Sequence, residues 1–279
     1  MIIDEHKQNM TKEKGIAKPF LKWAGGKRWL VNYYNQYIHY ENERYIEPFL
    51  GSGAMFFNIQ PQDAIISDTN EELMITYKAI KENWKKVYDQ LVYYHEYHTK
   101  DLYYEIRSKS YIDVYDRAAR FIYLNRTCWN GLYRVNKKGY FNVPIGTRKN
   151  VIFSDDNFKL ASDILKRAHI ECLDFEEIIG ASEKNDFLFV DPPYTVRHNN
   201  NSFIKYNEKL FSWHDQLRLH KCLLNAKRRG AKIVALNANH KDIINLYKED
   251  FEIVVLKRFS GLAADYSKRN MCTEIVIKS

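Results

Sequence analysis

Long apolar runs are missing from this sequence. No stretch approaches the length that a helix needs to cross a bilayer, so a helical membrane protein is not expected. Cysteine is sparse. The four cysteines, Cys128, Cys172, Cys222 and Cys272, stand apart and none forms a Cys-x-x-Cys pair. That spacing excludes a zinc ribbon or a thioredoxin-type dithiol, and no metal is expected. Isolated thiols fit a reduced, cytoplasmic setting. Met1 to Lys18 is polar and lacks the apolar segment of a secretory leader. Residues 1–17 are expected to be a flexible tail before a fold that begins at Pro19. Internal repeats and low-complexity tracts are absent as well.

What is present suits one packed core domain with a sizeable insertion, or two small domains. The chain has 279 residues, and 45% of them are hydrophobic, ample for a core. Its net charge of +8 directs attention to polyanionic partners.

Short β-rich apolar runs recur along the chain: Tyr45-Ile46, Ala64 to Ile66, His169 to Leu173, Phe187 to Val190, Lys232 to Leu236, Glu252 to Leu256 and Thr273 to Ile277. Helical patterns separate many of them, which predicts an α/β fold with a mainly parallel sheet. The last two runs have no clear helix between them, so an antiparallel edge is expected there. Leu73, Tyr77, Ile80, Trp84, Val87 and Leu91 form one apolar helix stripe. A second helix is predicted from a Ser212-x-x-Asp215 capping box to Gly230, with Leu217 and Leu224 turned inward. Between residues 71 and 168 the alternation stops. This segment reads as a mostly helical insertion carrying a hairpin from Leu132 to Pro144, with its turn near Lys137-Lys138-Gly139.

Two motifs carry chemistry. Tyr45-Ile46-Glu47-Pro48-Phe49-Leu50-Gly51-Ser52-Gly53 runs from a strand through a Gly-x-Gly turn toward a helix. Gly51 and Gly53 let backbone approach a ligand closely. Asp68 ends the next strand, about twenty residues on, where nucleotide folds place a ribose-binding acid. A helix N-cap role is compatible with that position. Both nicotinamide dinucleotides and S-adenosylmethionine carry such a ribose. Glu47 beside the turn suits a cationic sulfonium or amino group better than a pyrophosphate, which favours S-adenosylmethionine.

The second motif is Asp191-Pro192-Pro193-Tyr194, at the end of the apolar run Phe187 to Val190. Its two prolines stop the strand and fix the backbone. An exocyclic ring amine is a poor nucleophile because its lone pair is delocalised. Asp191 and the Pro192 carbonyl can accept its N–H bonds and steady developing positive charge. Tyr194 offers a flat face on which a base can stack. No cysteine follows a proline, so the thiolate route to the cytosine C5 position is not expected.

Together, Phe20-Leu21-Lys22-Trp23-Ala24-Gly25-Gly26-Lys27, Glu47 to Gly53 and Asp191 to Tyr194 resemble the Dam-type DNA adenine-N6 methyltransferases, the D12 or α class of amino methyltransferases. The resemblance covers nearly the whole chain. It implies a Rossmann-like S-adenosylmethionine-dependent core, residues 18–70 and 169–279, and a target-recognition insertion, residues 71–168. It implies methyl transfer to adenine N6 in double-stranded DNA by base flipping, at GATC or a related site. Cytosine N4 is the alternative target, and a non-catalytic DNA-binding regulator the alternative class. Cofactor contacts carry over to Trp23, Lys27, Asp68 and Asp191, beside Glu47, Phe49, Gly51 and Gly53 of the turn. DNA contacts carry over to Lys22, Trp129, Asn130, Leu132, Arg134, Asn136, Pro144 and Arg148. Of these, Arg134 and Lys22 are expected at guanines, and Leu132 and Pro144 at a thymine methyl. A cognate restriction endonuclease or defence component is compatible with such an enzyme.

Two stretches depart from the family pattern. Relatives commonly have arginine directly after the glycine, whereas here Gly146 is followed by Thr147-Arg148. A phosphate contact is therefore expected at Arg148. Thr195 to Ser202 is also unlike the best-known members and is expected to be a loop closing over cofactor or DNA.

Overall fold

The computed structural model describes residues 17–31, 38–136, 138–194, 211–259 and 271–279. The expected closing loop, Thr195 to Ser202, and residues 1–16 of the expected tail lie outside the described residues. Ala17 is already buried in the core.

Seven strands form one sheet: β1 Tyr45–Glu47, β2 Ala64–Ser67, β3 Ala168–Glu171, β4 Phe187–Val190, β5 Lys232–Ala238, β6 Glu252–Phe259 and β7 Met271–Lys278. Their spatial order is β3-β2-β1-β4-β5-β7-β6. The first five are parallel, and β7 lies antiparallel between β5 and β6. All seven predicted runs are strands, and the antiparallel edge falls where the missing helix placed it.

The order reverses between β1 and β4: from β1 the chain moves to β2 and β3 on one side, then returns to β4 on the other. In open α/β sheets such a switch point is where strand ends splay and ligands bind. The glycine turn follows β1 and Asp191 follows β4, so the fold places the two motifs side by side.

Strand side chains alternate between two faces. On β4, Phe187 and Phe189 join one buried cluster, while Leu188 and Val190 join the other. The second cluster is closed by α7 Phe175–Gly180, α8 Trp213–Arg229 and α9 Lys241–Tyr247. The shorter helices α1 Arg28–Val31 and α2 Ala54–Ile59 belong to the first face, with Leu30, Phe56 and Phe57 in its core.

The insertion supplies the rest of that first face through α3 Glu71–Glu96, α4 Lys100–Ser108, α5 Val114–Thr127 and α6 Phe158–Leu165. Asn83 departs from helical angles and kinks α3. The predicted stripe of α3 is its core face, with Leu73, Tyr77, Ile80, Val87 and Leu91 fully buried. Buried side chains of the insertion, such as Ile106, Phe121 and Ile122, share one cluster with Tyr45, Ile66 and Phe187 of the sheet.

The α8 capping box is present, and Gly230 ends the helix at φ 93°. Leu217, expected inward, is instead 44% exposed. The inward stripe is Gln216, Leu219, Leu223 and Ala226, at spacings of three and four, and Leu217 lies off it. Leu224 packs at the edge of the second cluster. Asp68 is not the cap of α3; Asn70 is, its side chain accepting from the Leu73 amide.

One buried guanidinium ties residues 71–168 to the N-terminal segment. Arg126, near the end of α5, donates to Asp156 through both terminal nitrogens, at 2.5 and 2.7 Å. It also donates to the carbonyls of Phe20 and Val151. Replacing Asp156 with alanine leaves a buried guanidinium without its counter-charge. Denaturant titration of Asp156→Ala is expected to show a stability loss of about 3–5 kcal/mol; a loss below 1 kcal/mol would contradict this role.

Candidate active site

The glycine turn is built for close approach. Gly51 and Gly53 both adopt positive φ, 50° and 66°. A Cβ on Gly51 would lie 2.7 Å from Cδ1 of Trp23, so the indole rests directly on this glycine. Beneath the turn, the buried Tyr77 hydroxyl donates to the Gly51 carbonyl at 2.9 Å. Asp68 closes the turn from β2: its carboxylate accepts the amides of Gly51 and Asn70, each at 3.0 Å. The Thr69 amide is a third donor, and a carboxylate offers about four lone-pair directions, so capacity for one further donor remains. Phe49 turns to the other face of the sheet, stacked on Phe175 and edge-on to Phe211.

Lys27 links the Phe20–Lys27 segment to the Asp191–Tyr194 motif. Its side chain is almost wholly buried, and its ammonium lies 2.8 Å from Asp191 Oδ1. It donates to the Gly25 carbonyl at 2.9 Å and sits 4.6 Å from the centre of the Tyr194 ring. The Tyr194 hydroxyl in turn donates to Glu274 Oε2 at 2.6 Å.

Acids crowd this ammonium. Burial pushes the Asp191 carboxyl above the usual aspartate range, Lys27 pulls it back down, and Glu274 adds a smaller upward push. Burial also raises Asp68, against the amides that hold it. Glu47 is raised well above the carboxylate range, first by burial, with Asp191 and Asp68 adding to the rise. Its Oε2 bonds the Tyr45 hydroxyl at 2.8 Å. Strand ends at β1, β2 and β4 thus place Glu47, Asp68 and Asp191 within one electrostatic field.

The insertion reaches this site through the Phe20–Lys27 segment. The Asn125 side chain clasps Lys22, accepting its amide and donating to its carbonyl, each at 2.8 Å. Trp23 stacks on Tyr133, with ring centres 5.6 Å apart. A Cβ on Gly131 would meet the Lys22 Cδ at 2.6 Å, so glycine at φ 66° is required there.

The predicted hairpin is formed. Val135 bridges Phe141, and Asn142 donates its amide to the Arg134 carbonyl. Asn136 shapes the turn, its Oδ1 accepting the amides of Lys138 and Tyr140. Trp129 and Leu132 are 53% and 41% exposed, and Asn130, Arg134, Asn136, Pro144 and Arg148 are exposed as well. Arg134 donates its Nε to Asn142 across the hairpin at 2.9 Å. Lys22 is partly buried, its ammonium destabilised first by burial and then by Arg148 nearby. The hairpin joins α5 through a bond from the Trp129 amide to the Pro144 carbonyl.

The structure therefore brings Trp23, Lys27, Gly51, Asp191 and Tyr194 into one centre and spreads the predicted DNA contacts over the adjoining surface. The sequence reading missed Tyr77, Asn125, Tyr133 and Glu274. A lone acid in the apolar run Thr273 to Ile277 was the one sequence signal for Glu274. Arg229, within a basic cluster at the end of α8, binds the carbonyls of Ile179 and Ser182.

Residues 23–262 match the family model described as D12 class N6 adenine-specific DNA methyltransferase. The chain belongs to that family. It is 38% identical over 276 residues to the Type II methyltransferase M.MjaIII of Methanocaldococcus jannaschii, covering 90% of this chain and 96% of that one. It is 33% identical over 277 residues to the Type II methyltransferase M1.LlaDCHI of Lactococcus lactis subsp. cremoris, covering 96% and 97% of the two chains. A DNA adenine methylase of Haemophilus influenzae is 30% identical over 239 residues, covering 84% and 83%.

The buried Glu47 gives a pH test. A carboxyl protonated more readily in the folded chain than in the unfolded one, at about 4.3, stabilises most below the unfolded value. That stability is lost as pH rises toward the raised folded value. Glu47→Gln keeps an acceptor for Tyr45 but does not titrate. Its stability relative to the native chain is expected to rise from pH 4 to pH 7 in urea titrations; a constant difference would contradict the raised Glu47.

Proposed function

We propose that this adenine-specific DNA methyltransferase uses S-adenosylmethionine to methylate adenine N6 in double-stranded DNA, with the target base rotated out of the helix. The observation that carries the reading is Asp191 and Tyr194 standing against the glycine turn across the β1–β4 switch point.

The residues present fit the cofactor. Gly51 and Gly53 give the turn its positive φ and seat the Trp23 and Phe57 rings, Trp23 walls the turn, and Asp68 at the end of β2 offers its carboxylate to a ribose hydroxyl. Glu47 and Asp191 suit its cationic sulfonium and amino groups, and Lys27 its carboxylate. When bound, the cofactor supplies an electrophilic methyl group. The chain's own residues prepare the nucleophile. Asp191 and the Pro192 carbonyl accept the two amine hydrogens, turning the nitrogen lone pair out of conjugation. As the new N–C bond forms, N6 becomes positive and sheds one proton. Asp191, raised by burial, is a better acceptor for that charge than a solvated aspartate. Tyr194 stacks on the base, an interaction worth about 1–3 kcal/mol.

The exposed hairpin supplies the DNA contacts. Trp129 and Leu132 form an apolar wedge, flanked by Arg134 and Arg148. Apolar wedges enter the space a displaced base leaves. Arg134 suits the O6 and N7 edge of guanine. GATC or a related site is the proposed target, and a restriction–modification system in the cytoplasm the proposed setting, with a cognate endonuclease as partner. The names of the two Type II relatives support that setting.

Asp191→Ala is expected to abolish transfer while circular dichroism shows an intact fold; measurable turnover in this variant would overturn the mechanism. Nucleoside analysis of DNA from cells expressing the chain is expected to yield N6-methyladenine, and methylome sequencing to place it at GATC or a related site. N4-methylcytosine as the product would overturn the target assignment.

A further inference from the structure

Glu274 is buried in the middle of a sheet, and the reaction gives it no direct part. Its strand, β7, runs antiparallel to β5, so an early position on β7 lies at the edge where the parallel strands end. Glu274 pairs with Ala238, the last residue of β5, and with Leu256 of β6. Alternation sends Ile275 and Ile277 to the second cluster and Val276, two residues from Glu274, to the first. Glu274 is therefore on the face of the sheet that carries Tyr194 and at the site's own edge.

An acid at 3% exposure in an apolar strand is costly to keep without hydrogen-bond donors. The Tyr194 hydroxyl supplies one at 2.6 Å, the length of a charge-assisted bond. Tyr194 follows two prolines at the end of β4, where no ladder bond fixes its plane. The ring has a cation against its face, Lys27 at 4.6 Å, and its far end tied to β7. With a hydrogen bond between the Tyr194 hydroxyl and the Asp191 carboxylate, which lowers that carboxyl, these contacts set the plane of a ring whose proposed task is to stack on the target base.

We infer that Glu274 is a positioning residue, which acts through the Tyr194 hydroxyl to hold the ring as the platform for the extruded adenine. The inference rests on the proposed base-flipping reading and deepens it. Loss of the tether lets the ring turn about its side-chain bonds, so the base is held less squarely against Asp191. Misplacement of a reacting group by about 1 Å can lower the rate on the order of 100-fold.

The test uses the full chain, a duplex with 2-aminopurine at the target position, and S-adenosylhomocysteine, alongside turnover on unmodified duplex. Stacking on Tyr194 quenches the extruded fluorophore. Glu274→Ala is expected to brighten the complex and lower kcat, with KM for the cofactor little changed. Glu274→Gln, which keeps an acceptor, is expected to restore both. Tyr194→Phe removes the hydroxyl and keeps the ring, and it should reproduce the kcat loss. Adding Glu274→Ala to Tyr194→Phe should then cost nothing more, because the two act through one bond. A full Glu274→Ala effect in the Tyr194→Phe background would show a purely structural acid and overturn the inference. Should Glu274→Ala not fold, Glu274→Gln and Tyr194→Phe decide: a Tyr194→Phe complex as dim and as fast as the native one overturns it. If the native chain itself gives no fluorescence change, base flipping fails and the inference falls with it. A native signal that Glu274→Ala leaves unaltered fells the inference alone.

Discussion

The guanidinium of Arg126 is the constraint on which the site hangs. Phe20 to Trp23 is a loop with neither strand nor helix to fix its course. Arg28 donates to its Leu21 carbonyl, Phe20 packs among Phe57, Tyr77 and Phe158, and two consecutive residues of one helix tie it to α5. Asn125 clasps Lys22, and Arg126 holds the Phe20 carbonyl while Asp156 balances its charge. Everything downstream inherits that placement. Trp23 can then rest on Gly51, and Lys27 can reach Asp191. A helix of the insertion thereby determines the geometry of a centre built on the sheet.

Charge is the second organising element. Lys27 is one ammonium among Glu47, Asp68, Asp191 and Glu274, acids that burial holds in a weakly screened setting. Pairing Lys27 with Asp191 keeps that carboxyl from rising as far as burial alone would take it. Burial holds Glu47 toward its protonated form, so the balance of charge in this centre turns chiefly on Lys27 and Asp191.

Much of the fold was legible because it follows from local patterns. Short β-rich apolar runs, several of them ended by a polar or acidic residue, are the local signature of strands, and all seven runs are strands. The glycine turn and Asp191 to Tyr194 were legible for the same reason: strand ends, glycines and prolines constrain the backbone wherever they occur. Lys27 and Trp23 were found by resemblance alone, since nothing local separates a solvated lysine from one seated between an aspartate and a tyrosine. Tyr77 and Tyr133 were hidden inside ordinary core patterns, where the ring is legible but the partner of the hydroxyl or the stacked face is not. Leu217 shows the limit of periodicity: a shift of one residue moved the predicted stripe of α8 off the buried one. Asp68 was located correctly, while the capping role belonged two residues later, to Asn70.

The Leu132–Pro144 hairpin grows from helices whose buried side chains share one cluster with the strands. Residues 71–168 are therefore no detachable cassette. Exchanging residues 71–168 with a relative would tear open the face of the sheet that carries Tyr45 and Phe187. Trp129, Leu132 and Arg134, in contrast, lie at the surface and can change without disturbing that interior. Within this architecture, change is open to a lineage at a few exposed hairpin side chains and closed to it through the exchange of whole segments. Descendants are then expected to diverge at that surface and to keep the body beneath it.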